Sequence, residues 1–131
     1  MSNEDLILEA INAREMAYVP YSNFKVGAAL LTDSDKLYTG CNIENASFGA
    51  TNCAERTAIF KAVSEGERII KKIAIVGDFN NFTSPCGICR QVISEFSDED
   101  TEVIMAKNEK EYIVKKANEV LPFAFTKKDL I

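Results

Sequence analysis

The sequence predicts an α/β fold in one domain, residues 1–131, with a central mixed sheet covered by helices on both faces. Two observations carry this. A length of 131 residues with 47% hydrophobic content is enough for one self-sufficient core, and no repeat, low-complexity tract or linker divides the chain. Apolar segments of strand-like and helix-like length then follow in the order αββαβαβ, with room for one more strand.

Residues 3–18 open the chain as a helix. Ile7, Ile11 and Tyr18 recur at helical spacing beside Ala10, Ala13 and Ala17, and Pro20 bars continuation. Residues 25–31 and 36–41 form a hairpin whose turn residues are Asp33, Ser34 and Asp35. Thr51 and Asn52 offer an N-cap for a helix from about Cys53 to Glu65, ended near Gly66. Residues 72–76 are a β-branched strand closed by Gly77 and Asp78. Ser84 as cap and Pro85 as first helical residue start a further helix, with Cys89, Val92, Ile93 and Phe96 on its inner stripe. Residues 102–106 form a strand to which 110–114 can pair, and the acidic run Ser97–Asp100 reads as a solvated turn.

Composition narrows the chemistry. The chain has no histidine, which removes Ser-His and Cys-His nucleophiles, imidazole acid–base catalysis and His-ligated zinc. A net charge of −5, with lysine pairs scattered rather than striped, argues against a nucleic-acid partner. The acidic start lacks a signal-peptide pattern, and no apolar run approaches the roughly 20 residues of a membrane span, so a cytoplasmic location without membrane contact is expected. In a reducing compartment the four cysteines are metal ligands or redox groups rather than staples.

Three of them fall at predicted helix starts. Cys53 heads one helix, and Cys86 and Cys89, three apart on one face, head another. Unpaired N–H groups and the helix dipole favour thiolate there. Helices meeting over the ends of adjacent strands would gather three thiolates, leaving the fourth position of a catalytic zinc open. Glu55, two residues after Cys53, would then stand beside the metal as a proton shuttle rather than as a ligand. Two other readings stay open on these residues. Cys86-Gly87-Ile88-Cys89 alone also fits a dithiol oxidoreductase, and Cys41 could close a Cys₄ structural zinc, although its strand-end position suits a simple buried thiol.

Cys53-Ala54-Glu55 followed by Pro85-Cys86-Gly87-Ile88-Cys89 resembles the C-x-E…P-C-x-x-C pattern of zinc-dependent nucleoside and nucleobase deaminases. The likeness extends to residues 19–30, 40–46, 53–62, 85–93 and 121–125. Over essentially the whole chain it is similar to the small homotetrameric cytidine deaminases. That resemblance implies a three-layer αβα fold around a mixed five-stranded sheet. It also implies one Zn²⁺ per chain on Cys53, Cys86 and Cys89, with Glu55 catalytic. The reaction implied is hydrolytic deamination of cytidine and deoxycytidine to uridine and deoxyuridine in pyrimidine salvage, with blasticidin S as a competing substrate.

Carried over by position, Phe24 packs against the pyrimidine and Asn42 and Glu44 hydrogen-bond the ribose. The Ala54 N–H reads the base carbonyl, the Ser84 carbonyl faces the departing amino group, and Phe125 reaches a neighbouring subunit's site. The arginine at Arg56 hydrogen-bonds ligand sulfur and offsets the net −1 charge of three thiolates on one Zn²⁺. Two positions depart from the family: Phe48 stands where Tyr is common, and Phe123 where Gly is common.

Overall fold

The computed structural model describes residues 1–131 and has at its centre a five-stranded sheet in the order β2-β1-β3-β4-β5. The strands are β1 (Gly27–Thr32), β2 (Leu37–Cys41), β3 (Ile70–Val76), β4 (Ser97–Ala106) and β5 (Tyr112–Lys116). Only β3 and β4 pair in parallel; β1–β2, β1–β3 and β4–β5 are antiparallel. Four helices flank the sheet: α1 (Asn3–Arg14), α2 (Ala54–Ser64), α3 (Gly87–Glu95) and the single turn α4 (Ala117–Val120). The expected mixed sheet in a three-layer sandwich is the fold observed.

Strand alternation assigns each face its helices. Ala28, Leu30, Ile73, Ile75, Val103 and Met105 point to one side, where Ala54, Ala58, Ile59, Ala62 and Ile93 of α2 and α3 close the core. Ala29, Ala74, Val76, Ile104 and Ala106 point to the other side, against Leu6, Ile7 and Ala10 of α1. Each fully buried Leu or Ile contributes roughly 1.5–3 kcal/mol from burial, so the two-sided sheet explains why its central strands read as continuous apolar runs.

Two antiparallel steps, β2 to β1 and β1 to β3, make β2 and β3 run in the same direction. Gly27 pairs with both Cys41 at the end of β2 and Val76 at the end of β3, so both strands finish at one sheet edge. The segments leaving those strands lead to α2 and α3, whose N-termini therefore gather at that edge. Close approach of α2 depends on Gly40: a Cβ there would stand 2.6 Å from the Ala54 carbonyl oxygen and 2.6 Å from the Ala58 nitrogen.

Several element ends differ from the sequence expectation. α1 stops at Arg14 instead of residue 18, because Met16 and Ala17 make tighter turn bonds and the Tyr18 N–H is drawn to the Asn42 carbonyl at 3.0 Å. Tyr18 is thus exposed rather than part of a buried stripe. Neither Thr51-Asn52 nor Ser84 caps a helix; the N-caps are Cys53 and Cys86 themselves. The acidic run Ser97–Asp100 is the opening of β4 rather than a turn, tied down by the buried Thr101 hydroxyl donating to the Ile70 carbonyl at 2.6 Å. No helix is long and apolar enough to cross a membrane.

Candidate active site

The sulfurs of Cys53, Cys86 and Cys89 converge at the shared sheet edge, all within 4.8 Å of one another. Each helix contributes through its first turn. Cys53 and Cys86 occupy N-caps with extended backbone (φ −75°, ψ 157° and φ −69°, ψ 170°), and Cys89 is the third residue of α3. Neither N-cap sulfur caps its helix, which leaves both free to turn toward each other. Loop 44–51 is pinched shut just before Cys53 by the reciprocal Ile43–Asn52 backbone pair, both bonds 2.9 Å. Thr57 adds a brace: its hydroxyl donates to the Cys53 carbonyl at 3.2 Å and accepts from Asn52 Nδ2 at 3.0 Å.

The donor set fits zinc. Cys53 Sγ and Cys86 Sγ are 3.8 Å apart. Zn–S bonds of about 2.3 Å in a tetrahedron require S···S edges of about 3.8 Å. Arg56, third residue of α2, donates from Nη2 to Cys53 Sγ at 3.4 Å, and its Nε is buried without a partner. Hydrogen bonds from Cys89, Arg56 and Cys86 to the sulfur pull the Cys53 thiol down to about 5, against the opposing effect of burial. Cys89 is pushed the other way, by its bond to Cys53, by burial and by the Glu55 charge. Cys41 lies outside this group, half-buried and with its thiol raised by desolvation, so a Cys₄ site is not formed.

Glu55 is 4% exposed, the second residue of α2. Burial foremost, then the nearby Cys53 charge, raises its carboxyl to about 7, with its own backbone N–H pulling the other way. A carboxyl in that range can both accept and return a proton at neutral pH.

The other predicted residues differ in exposure and in what holds them. Ala54 is the fully buried first residue of α2, where a backbone N–H has no intrahelical acceptor. Phe24 is 42% exposed, held from behind by Asn42 Nδ2 donating to its carbonyl at 2.8 Å. Asn42 Oδ1 also accepts from the Val26 N–H at 2.9 Å, so much of this side chain's capacity goes to positioning the segment 24–26 that leads into β1. Glu44 accepts from the Tyr21 N–H at 3.0 Å, the Ser22 N–H at 3.1 Å and the Ser22 hydroxyl. These bonds, the hydroxyl first, hold its carboxyl below the usual range. Tyr21 and Ser22 went unassigned in the sequence; only their membership of the block around Phe24 could have marked them. A cleft of about 410 Å³ opens over Tyr21, Ser22, Glu44, Phe48 and Thr51. Ser84 precedes Cys86 by two residues, and its hydroxyl meets Met105 Sδ at 3.5 Å. Phe125 is not gathered with this group: it is 60% exposed and lines a separate cleft of about 410 Å³ with residues of α3, α4 and β4.

Comparison with known proteins agrees with this geometry. Residues 1–107 match the model of the cytidine and deoxycytidylate deaminase zinc-binding region. The cytidine deaminase of Sporosarcina psychrophila is 51% identical, covering 99% of this chain and 96% of that protein. That of Halalkalibacterium halodurans is 52% identical, covering 99% and 98%. The crystal structure of cytidine deaminase from Burkholderia pseudomallei superposes with a TM-score of 0.89 at 48% identity, over 95% of this chain and 100% of that one. These likenesses favour neither the oxidoreductase nor the antibiotic-deaminase alternative. With its three thiols at two helix starts and a match of this extent, the chain belongs to the cytidine and deoxycytidylate deaminase family, a zinc-binding family of hydrolases.

Proposed function

We propose that this chain, folding as one domain, catalyses the hydrolytic deamination of cytidine and 2′-deoxycytidine, giving uridine and 2′-deoxyuridine with release of ammonia. The observation that carries the reading is a buried carboxyl, Glu55, two residues from one of three convergent thiols. Cys53, Cys86 and Cys89 would hold one Zn²⁺, which supplies Lewis acidity and activates water at its open position. Glu55 takes a proton from the attacking water, delivers it to N3 of the base, and then assists departure of the 4-amino group. The Ala54 N–H binds the base carbonyl, and the Ser84 carbonyl accepts from the amino group as it leaves. Phe24 covers the ring, and Asn42 and Glu44 hold the sugar.

The charge on Glu44 supports a nucleoside over a nucleotide, because a carboxylate in the sugar cleft repels phosphate. Exposed Phe48, Phe125 and Ile88 support assembly into a homotetramer in which Phe125 completes a neighbour's site. Cytoplasmic pyrimidine salvage is the setting we assign to it. The test is zinc content measured with turnover of cytidine, deoxycytidine, CMP and blasticidin S, followed by loss of the cytidine absorbance. About one zinc per chain and turnover of the first two are expected. A folded, zinc-loaded chain that leaves cytidine intact would refute the assignment.

A further inference from the structure

Helix α3 carries Cys89 and begins at the Cys86 N-cap, and two consecutive side chains on it hold the C-terminal segment. Arg90, four residues after Cys86, donates from Nε to the Pro85 carbonyl at 2.8 Å and from Nη1 to the Val120 carbonyl at 2.9 Å. Gln91 donates from Nε2 to the Phe125 carbonyl at 2.8 Å. Pro85 is the residue immediately before the Cys86 N-cap, and Val120 ends α4, where carbonyls lack intrahelical donors. One rigid guanidinium therefore ties the loop delivering Cys86 to the start of the strap 121–125, and Gln91 ties down the far end. Arginine's planar fork can satisfy both carbonyls at once, whereas a lysine ammonium on a flexible stem would hold only one of them well.

We propose that Arg90 is a positioning residue that couples the Cys86 loop to the C-terminal strap, and that Gln91 positions the strap alone. Arg90 thereby restrains a ligand-bearing loop and slows metal escape. Through the strap, both residues set the place of Phe125; that half rests on the assignment of Phe125 to a substrate site made above.

The experiment compares the zinc-loaded wild type with Arg90→Gln, Arg90→Lys and Gln91→Leu, each checked for folding by circular dichroism. Zinc transfer to an excess of a chromophoric chelator is timed, and KM and kcat for cytidine are measured separately. Arg90→Gln is expected to release zinc about tenfold faster, the low end of what losing a supporting contact around a metal costs, and to raise KM. Arg90→Lys falls between it and the wild type. Gln91→Leu is expected to raise KM several-fold at little-changed kcat, with zinc release within about twofold of wild type. Zinc release from folded Arg90→Gln at the wild-type rate overturns the coupling. So does Gln91→Leu releasing zinc as fast as Arg90→Gln, which would signal general loosening. An unchanged KM in Gln91→Leu overturns the role of the strap. If the wild type holds zinc but leaves cytidine untouched, the functional assignment fails while the zinc-release comparison still decides the role of Arg90.

Discussion

Arg56 donates to Cys53 Sγ at 3.4 Å from the third position of the helix that Cys53 itself caps. The i, i+3 spacing puts the guanidinium on the same side of the first turn as the sulfur, so the contact is made within one turn of helix. Three thiolates and one Zn²⁺ would sum to −1, and the Arg56 charge would return the centre to neutrality.

Replacing Arg56 with Gln should therefore act on the metal-free protein as well as on catalysis. Thiolate absorbance near 240 nm should titrate near pH 5 in the metal-free wild type, as the lowered Cys53 thiol ionises. In Arg56→Gln that step should move upward by about one unit, the usual scale for losing an adjacent opposite charge. Zinc affinity should fall by about 10–100-fold. An unshifted absorbance titration would show that Arg56 does not stabilise this thiolate.

Glu55→Gln separates chemistry from stability. With the metal retained, turnover should fall by about 10²–10⁴, the range for removing a general acid–base group. The metal-free protein should respond in the opposite sense. The folded carboxyl titrates at about 7 against an ordinary 4.5, so its stabilising protonation is fully present below pH 4.5 and lost as pH rises through 7. Above pH 7 the buried charge costs about 3 kcal/mol by that shift, and Gln removes the cost. Urea unfolding at pH 5 and pH 8 should show the variant gaining on the wild type only at the higher pH.

Gly77 gives Phe24 its place. A Cβ on Gly77 would meet Thr83 Oγ1 at 2.5 Å and Phe24 Cζ at 2.9 Å. The backbone cannot retreat freely, because Arg14 Nε donates to the Gly77 carbonyl at 2.8 Å. Gly77→Ala should push the Phe24 ring toward the base site and raise KM for cytidine about tenfold, near 1.4 kcal/mol of binding, with zinc content unchanged. Steady-state kinetics beside metal analysis checks this, and a wild-type KM would remove Phe24 from the site.

The core, the sheet and the thiol cluster were legible because each rests on a local pattern. The compact apolar runs 72–76 and 102–106 marked the central strands, and the i, i+3 spacing put Cys86 and Cys89 on one face. The caps were misplaced because the usual N-cap preferences rank Ser, Thr, Asn and Asp. Here the cap positions are given to cysteines that must face a metal, so Thr51, Asn52 and Ser84 lay one or two residues too early. Helix α4 has four residues, too few to show a period. The Glu44 contacts to Tyr21 and Ser22, and the Arg90 fork, join segments more than twenty residues apart in the first case and thirty in the second. No spacing rule reaches that far.

Phe123 stands in an unusual backbone conformation. Its φ of +55° lies in the left-handed region, and its side chain is fully exposed at 105%. Such a conformation costs a residue bearing a Cβ roughly 1–2 kcal/mol, and the ring recovers nothing by packing within one chain. Glycine relieves that strain but gives back about 0.5–1 kcal/mol through a freer unfolded chain. Phe123→Gly should thus raise stability by up to about 1.5 kcal/mol in urea unfolding, the largest difference of those two terms. Phe123→Ala keeps the Cβ and should gain nothing. Light scattering on the same samples tests the remaining alternative. A Phe123→Gly protein that loses stability and dissociates would show the ring buried between subunits, where its packing outweighs the strain.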